Sequence, residues 1–339
     1  MIISDADLIQ NDTNDQKKVY SWYANRFAAI YPTLGCYVNQ DTLKDNSFID
    51  IEYWNISKEE STELAQKEFN RFTNTLKRNG IQVETFEQET DAPDSVCTDW
   101  FMTIRNEIFP KGVLVLGSMK TEQRRKERSQ NIIDTLSNYY EDVIDLVHFE
   151  EIDKALELKG SLVCDWKNAK LYWSLSQRSD KDVFEFLIEN LNQISQNHTG
   201  RVINGITFWS YDAQEKQIYH TDVMLAILDN HVVMWGEMIK NEQEKEALID
   251  ELTSAELNEH SRQLINISEE ECLNMCANII FGLDRNNNRC IVMSDRAHVN
   301  FKRENKCILS KNYKIITTDL SILEKISGAS AKSLLSEIY

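Results

Sequence analysis

Glycine and proline are scarce in this chain, at 10 and 3 among 339 residues. No Pro/Gly/Ser-rich linker divides it, so one domain is favoured, although the length alone would also allow two. No apolar run approaches the roughly 18 residues needed to cross a bilayer. The opening residues, Met1-Ile2-Ile3-Ser4-Asp5-Ala6-Asp7, have neither a basic stretch nor an apolar core. No export signal is therefore expected. Gly-rich phosphate loops, a Gly-x-Ser-x-Gly elbow, a His-x-x-x-His pair and paired CxxC motifs are all missing. These absences remove support for phosphate-loop nucleotide binding, ordinary serine-hydrolase chemistry and zinc-ribbon sites.

Positive charge is also in short supply. The formal net charge is −18, which repels nucleic-acid phosphate and anionic lipid and favours capture of small cations. The expected partner is a small molecule, with no nucleic acid and no membrane, and the expected location is the cytoplasm. Oligomeric state is not legible. Seven cysteines are scattered along the chain, as free thiols in a reducing compartment would be. Cys272 and Cys276 lie four apart on a predicted helix. With no further ligands near them in sequence, packing is the expected role, not metal binding.

Hydrophobic periodicity predicts short strands alternating with amphipathic helices. Val19, Tyr23, Phe27 and Ile30 sit at helical spacing, so residues 1–47 are expected to form an N-terminal helical extension to a body over 48–339. Phe48–Tyr53 reads as a strand. Ala65, Phe69, Phe72 and Leu76 mark a helix face that Asn79-Gly80 ends, and residues 81–86 alternate as a strand does. Gly112–Leu116 is a continuous apolar run, expected as a buried strand. A strand follows at Val143–Val147, and Ser161–Cys164 with Lys170–Leu175 suggests a hairpin. Further strands are expected at Val202–Trp209, Val223–Leu228, Val232–Trp235, Ile279–Leu283, Cys290–Met293 and Tyr313–Thr317, with a polar helix over 241–257. Periodicity alone gives an α/β fold with several short strands.

Polar residues beside apolar strands occur in five segments. They are Pro93-Asp94-Ser95-Val96-Cys97-Thr98-Asp99-Trp100, Leu156-Glu157-Leu158-Lys159-Gly160-Ser161, Leu175-Ser176-Gln177-Arg178-Ser179, Tyr219-His220-Thr221-Asp222-Val223-Met224-Leu225, and the ending from Ser327-Gly328-Ala329-Ser330 through Ser333 to Ile338. Singly, each has a plain reading. His220 fits an ordinary strand histidine, Glu157 and Asp222 fit solvated carboxylates, Asp99 a turn residue and Arg178 a surface ion pair. Ser333 fits a surface serine, and Ser330 is expected to cap a last helix.

Together and in order, the five segments resemble the amidinotransferase and arginine-deiminase superfamily, closest to its citrulline-utilisation hydrolase branch. That family carries segments like Pro-Asp-Ala-Val-Phe-Pro-Asn-Asn-Trp, Leu-Glu-Gly-Thr-Gly-Ser, Ser-Pro-Arg-Thr and Tyr-His-Thr-Asn-Val-Met-Leu. It ends on Gly-Gly-Gly-Ser-x-Arg-Cys-Met-Leu-Ala-Glu. The likeness spans about residue 60 to residue 339. The basic run Glu122–Arg128 also matches a helix start in that family, and is read as solvated and structural.

The resemblance implies a pentein-type α/β propeller of ββαβ modules with pseudo-fivefold symmetry. It implies hydrolysis of a guanidino or ureido C–N bond with no metal or organic cofactor. Such a carbon is resonance-stabilised, so it needs carboxylates to hold its nitrogens, a nucleophile, and an acid for the leaving amine. By resemblance Asp99 and Asp222 grip the substrate nitrogens and Glu157 orients His220. His220 is general acid and then base, and Arg178 takes a substrate carboxylate. Ser333 stands where the nucleophilic cysteine belongs.

The chain departs from the family in four places. Ser333 replaces Cys, the Asn-Asn-Trp segment is one residue shorter, Leu158-Lys159 replaces Gly-Thr, and Asp222 replaces Asn. An alkanol is far less acidic than a thiol, so this form is expected to be inactive or nearly so. Ser333 is either an engineered Cys→Ser change that traps substrate or a natural loss. Leu158-Lys159, placing bulk and a cation beside the expected site, favours the loss. Three readings stay open: a C–N hydrolase, an amidinotransferase, and an inactive family member that binds or scaffolds.

Overall fold

The computed structural model describes residues 21–339. Strand β1 (Arg26–Tyr31) is followed by helix α1 (Lys58–Arg78) and β2 (Gln82–Glu87). Helix α1 starts where Ser57 accepts a hydrogen bond from the Glu60 N–H, with Glu59 and Glu60 in its first turn, an arrangement that satisfies orphan donors and suits the helix dipole. It buries Ala65, Phe69, Phe72 and Leu76. Gly80, at φ +85°, ends it in the left-handed conformation that only glycine adopts without strain.

The chain then repeats one pattern. Strands β3 (Phe101–Ile104) and β4 (Val113–Leu116) form an antiparallel pair, helices α2 (Glu122–Arg125) and α3 (Gln130–Ser137) follow, and β5 (Asp142–Asp145) pairs parallel with β4. Helix α4 (Leu158–Ser161) leads into β6 (Leu162–Asp165) and β7 (Lys170–Ser174), then α5 (Lys181–Gln196) and β8 (Asn204–Phe208). Next come β9 (Leu225–Ile227), β10 (His231–Met234), α6 (Glu242–Thr253) and β11 (Gln263–Asn266). Helix α7 (Glu269–Leu273) precedes β12 (Ile280–Leu283) and β13 (Arg289–Ser294). Helices α8 (Asp295–Asn300) and α9 (Arg303–Asn312) lead to β14 (Lys314–Thr318). After α10 (Ser321–Ser327), the final strand β15 (Ser336–Ile338) returns to pair antiparallel with β1, which pairs parallel with β2.

The result is five three-stranded sheets, each with one antiparallel and one parallel pair. Each is a ββαβ module, and the first is completed by the last strand of the chain. Neighbouring modules share apolar clusters, as where Val232 and Ile265 pack with Phe281 and Ile291. Among the described residues no helix is long and apolar enough to cross a membrane.

Three expectations are corrected. Residues 26–31 are a strand, not part of a helical extension, because β1 is hydrogen-bonded on both sides and buries its apolar residues as a central strand. Val19 lies outside the described residues. Phe48–Tyr53 is not a strand: Asp50 caps a short 3-10 turn over Ile51–Asn55. No helix follows Ser330. Its hydroxyl instead donates to Glu324 at 2.6 Å, and the chain turns into β15. Cys272 and Cys276 are buried in the core as free thiols.

Candidate active site

The modules deliver polar residues at a common place, the entry to the first strand of each. Asp99 precedes β3, Glu157 and α4 precede β6, His220 precedes β9, Asn278 precedes β12 and Ser333 precedes β15. Asp99, His220 and Ser333 line one cavity of about 320 Å3 together with Asn46, Asp94, Cys97, Arg124, Arg178 and Tyr219. Glu157 lies behind His220, and Asp222 is reached through Asn278.

His220 Nε2 lies 2.7 Å from Glu157 Oε2. That leaves Nδ1 to exchange protons. The imidazole rests against Gly160, where a Cβ would fall 2.3 Å from Nδ1, so any larger residue at 160 would displace the ring. The turn carrying His220 is pinned by Thr221, whose hydroxyl donates to Ser161 O at 2.7 Å and accepts from Ser174 N at 2.9 Å. Burial alone would raise the Glu157 carboxyl, but Arg124, Arg178 and His220 outweigh it and hold it well below the usual range. Glu157 is therefore an anion that fixes the ring and stabilises its protonated form.

Arg124 was not anticipated here. It lies in the basic run read as solvated, yet its side chain is only 3% exposed. Its guanidinium donates to Glu157 Oε2 at 2.8 Å, to Asp99 Oδ2 at 3.0 Å, and to both oxygens of Glu127 at 2.8 and 3.0 Å. Those carboxylates overcome burial and keep it firmly charged. Arg178 is also spoken for. Its Nε and Nη2 donate to the two Asp45 oxygens at 2.7 and 2.6 Å, and its plane stacks 4.4 Å from the Tyr219 ring centre.

Ser333 Oγ accepts from Asn278 Nδ2 at 3.3 Å, and the same amide donates to Asp222 Oδ2 at 3.1 Å. Asn278 belongs to none of the five sequence segments, and its only signal is its position before a strand. Ser333 O is held by the Thr98 N–H at 2.9 Å. Lys159 and Leu158 do not fill the cavity. Leu158 is core, packed beneath Gly117. Lys159 Nζ donates to Thr98 Oγ1, to Lys332 O and to Leu335 O, so it clamps the turn that carries Ser333. It also lines a separate cavity with Cys164 and Tyr339. With its three donors used, Lys159 is no base for Ser333, and the hydroxyl has no basic hydrogen-bond partner.

Three buried carboxylates around this site each keep one oxygen without a donor: Asp94 Oδ1, Asp99 Oδ1 and Asp222 Oδ1. Burial pushes Asp222 up to about 7, partly offset by His220. Burial also raises Asp94, against the pull of Arg124, and lifts the Cys97 thiol well above its ordinary value. Cys97 is thus a poor nucleophile as it stands. Six carboxylates (Asp45, Asp94, Asp99, Glu127, Glu157 and Asp222) face two guanidinium groups and one imidazole. Among the described residues no cluster of three or more His, Cys, Asp or Glu side chains is arranged to hold a metal ion. The site's chemistry is that of a cation receptor with an adjoining proton-transfer pair.

A family profile described as "N,N dimethylarginine dimethylhydrolase, eukaryotic" matches residues 35–339. No curated protein matches the chain. Among solved structures, the arginine dihydrolase ArgZ of cyanobacteria aligns with a TM-score of 0.68 at 17% identity, over 92% of this chain and 40% of that protein. This chain therefore spans well under half of its length. A cysteine-to-serine mutant of the ArgZ N-terminal domain, bound to substrate, aligns at TM-score 0.64 and 17% identity over 92% and 97% of the two chains. A dimethylarginine dimethylaminohydrolase, in a histidine-to-glycine form bearing an S-methyl-L-thiocitrulline adduct, aligns at TM-score 0.61 and 17% identity, over 93% and 100%. The five sheets are those of the pentein-type propeller, and the chain belongs to the eukaryotic N,N-dimethylarginine dimethylhydrolase family of the guanidino-group-modifying superfamily.

Proposed function

We propose that the cavity receives a guanidinium group between Asp94, Asp99 and Asp222, with its carbon facing residue 333. The chemistry this arrangement serves is hydrolysis of a guanidino C–N bond. The observation that carries the reading is the set of three buried carboxylate oxygens without donors. Leaving such oxygens unpaired is costly, and a planar cation with several N–H groups satisfies them together.

With a thiolate at 333, attack on the guanidinium carbon forms an S–C bond and a tetrahedral adduct. His220 gives its proton to the departing amine. It then takes a proton from water, whose oxygen attacks the same carbon and releases the ureido product. Glu157 holds the imidazole through both steps. With Ser333 the first step fails, because the hydroxyl has only the Asn278 amide beside it and no base to ionise it. The Ser333 chain is thus a binding form of a hydrolase site. In support, a cysteine-to-serine ArgZ domain is described with its substrate bound.

The second reading, a protein that binds without turnover, rests on that same isolated hydroxyl. Transfer of the amidino group to an amine would use the same residues, and release of free ammonia separates hydrolysis from transfer. The test of the cavity itself is calorimetry with methylguanidine and with a neutral apolar molecule of like size. Saturable binding of methylguanidine alone is expected. Equal binding of both would remove the basis for the reading.

A further inference from the structure

The cavity wall contains two cationic side chains, Arg124 and Arg178, and both are already matched by internal carboxylates. A ligand that carries its own carboxylate needs a cation to receive it. We infer that Asp45 is a specificity-determining residue: by occupying the Arg178 fork it turns the site toward guanidinium compounds that lack a carboxylate, such as agmatine and methylguanidine, and away from free amino acids such as arginine. This rests on the proposed guanidinium-binding reading and refines it.

The geometry is specific. The two Asp45 oxygens take Nε and Nη2 of Arg178 in parallel, the arrangement in which a guanidinium binds one carboxylate and leaves little for another. The Arg178 side chain is 3% exposed and Asp45 is 22% exposed, so the aspartate closes the pair from the solvent side. The remaining terminal nitrogen of Arg178, Nη1, faces Glu157 Oε2 at 3.6 Å. The segment bearing Asp45 is anchored over the site. Asn46 donates to Ser327 O at 2.9 Å and accepts from the Tyr219 hydroxyl at 3.1 Å, and it presses on Gly328, where a Cβ would fall 2.5 Å from it. A carboxylate entering by this route meets Asp45 itself, Asp94 and Asp99. Like charges in a confined site discriminate against a ligand as effectively as good contacts favour another.

The test is calorimetric titration of the full chain with agmatine and arginine, for the parent and for Asp45→Asn. The parent should prefer agmatine by at least about tenfold, a modest size for discrimination through one charge pair. Asp45→Asn should move the ratio toward arginine by about tenfold or more, with agmatine affinity changed by less than about threefold. The parent comparison needs no variant, so a misfolded Asp45→Asn does not block the test, and Asp45→Ala gives a second check. Equal or tighter binding of arginine by the parent overturns the role of Asp45 but leaves the guanidinium reading in place. A change in Asp45→Asn that falls equally on both ligands also overturns it, by assigning the residue to loop structure. Failure of agmatine, arginine and methylguanidine alike to bind the parent removes the guanidinium reading, and this inference with it.

Discussion

Replacing Glu157 by glutamine keeps the shape of the side chain and removes its charge. In the parent, Glu157 Oε2 receives Arg124 Nη1 at 2.8 Å and His220 Nε2 at 2.7 Å, while Oε1 receives the Lys120 N–H at 3.2 Å. The side chain is fully buried. All its neighbours are donors, so the amide NH2 of glutamine must face one of them. Two guanidinium groups also lose a compensating anion. Breaking a buried ion pair in this way costs about 3–5 kcal/mol. An unfolding entropy of about 2.1 cal/mol/K per residue gives about 0.7 kcal/mol/K for a chain of this size, hence a Tm lower by about 4–7 °C.

The pH dependence has a definite sign. The folded-state pKa of Glu157 is depressed below the usual 4.5. Its contribution is therefore present above that value and lost as pH falls through the depressed one. The gap between parent and Glu157→Gln should be full at pH 7 and narrow in acid. Urea unfolding followed by circular dichroism at pH 7 and at pH 3 measures both. A variant within about 1 °C of the parent at pH 7, far less than a broken buried pair costs, would refute the argument. So would a gap that is the same at both pH values.

Guanidinium affinity should rise with pH through about 7, where the buried Asp222 ionises, because the cation stabilises the ionised carboxyl and expels its proton. Below that point calorimetry should find affinity falling by up to about tenfold per pH unit, the limit for one proton. Asp222→Asn should weaken binding and flatten the profile, and a profile as steep as the parent's would point to another group.

Much of the fold was legible because its strands are either apolar runs, as at Val113–Leu116, or sit in hairpins bounded by turns, as at β6 and β7. Strand β1 was misread because Arg26–Tyr31 is buried on both faces between β15 and β2, so it shows no alternation. The incidental spacing of Tyr23, Phe27 and Ile30 then mimicked a helix. The short β15 carries too few residues for any period to emerge.

At the site, His220, Glu157, Asp99, Asp222 and Ser333 stood out because each sits in a motif. Arg124 did not, since its neutralising partners are spread over positions 99, 127 and 157 and only Glu127 is local. Inside a run of charges, one buried arginine looks like its solvated neighbours. Asp45 and Asn278 carry no motif at all. Their roles exist only once β12 and the segment before α1 are folded against the other modules. Lys159 looked like an intruding charge, and the fold turns it away to hold the chain at Ser333.

The most direct measurement is made on Ser333→Cys. A thiol at 333 would enter a cavity lined by His220 and held by Thr98, Lys159 and Asn278, and an adjacent imidazolium lowers a thiol's pKa. The variant should release ammonia or an alkylamine from a guanidinium substrate and be alkylated at 333 by a haloacetamidine faster than at the chain's seven native cysteines. His220→Ala in that background should abolish both effects. A Ser333→Cys thiol that titrates like free cysteine, with no amine released from any guanidino or ureido compound, would contradict the hydrolase site and leave a protein built only to bind.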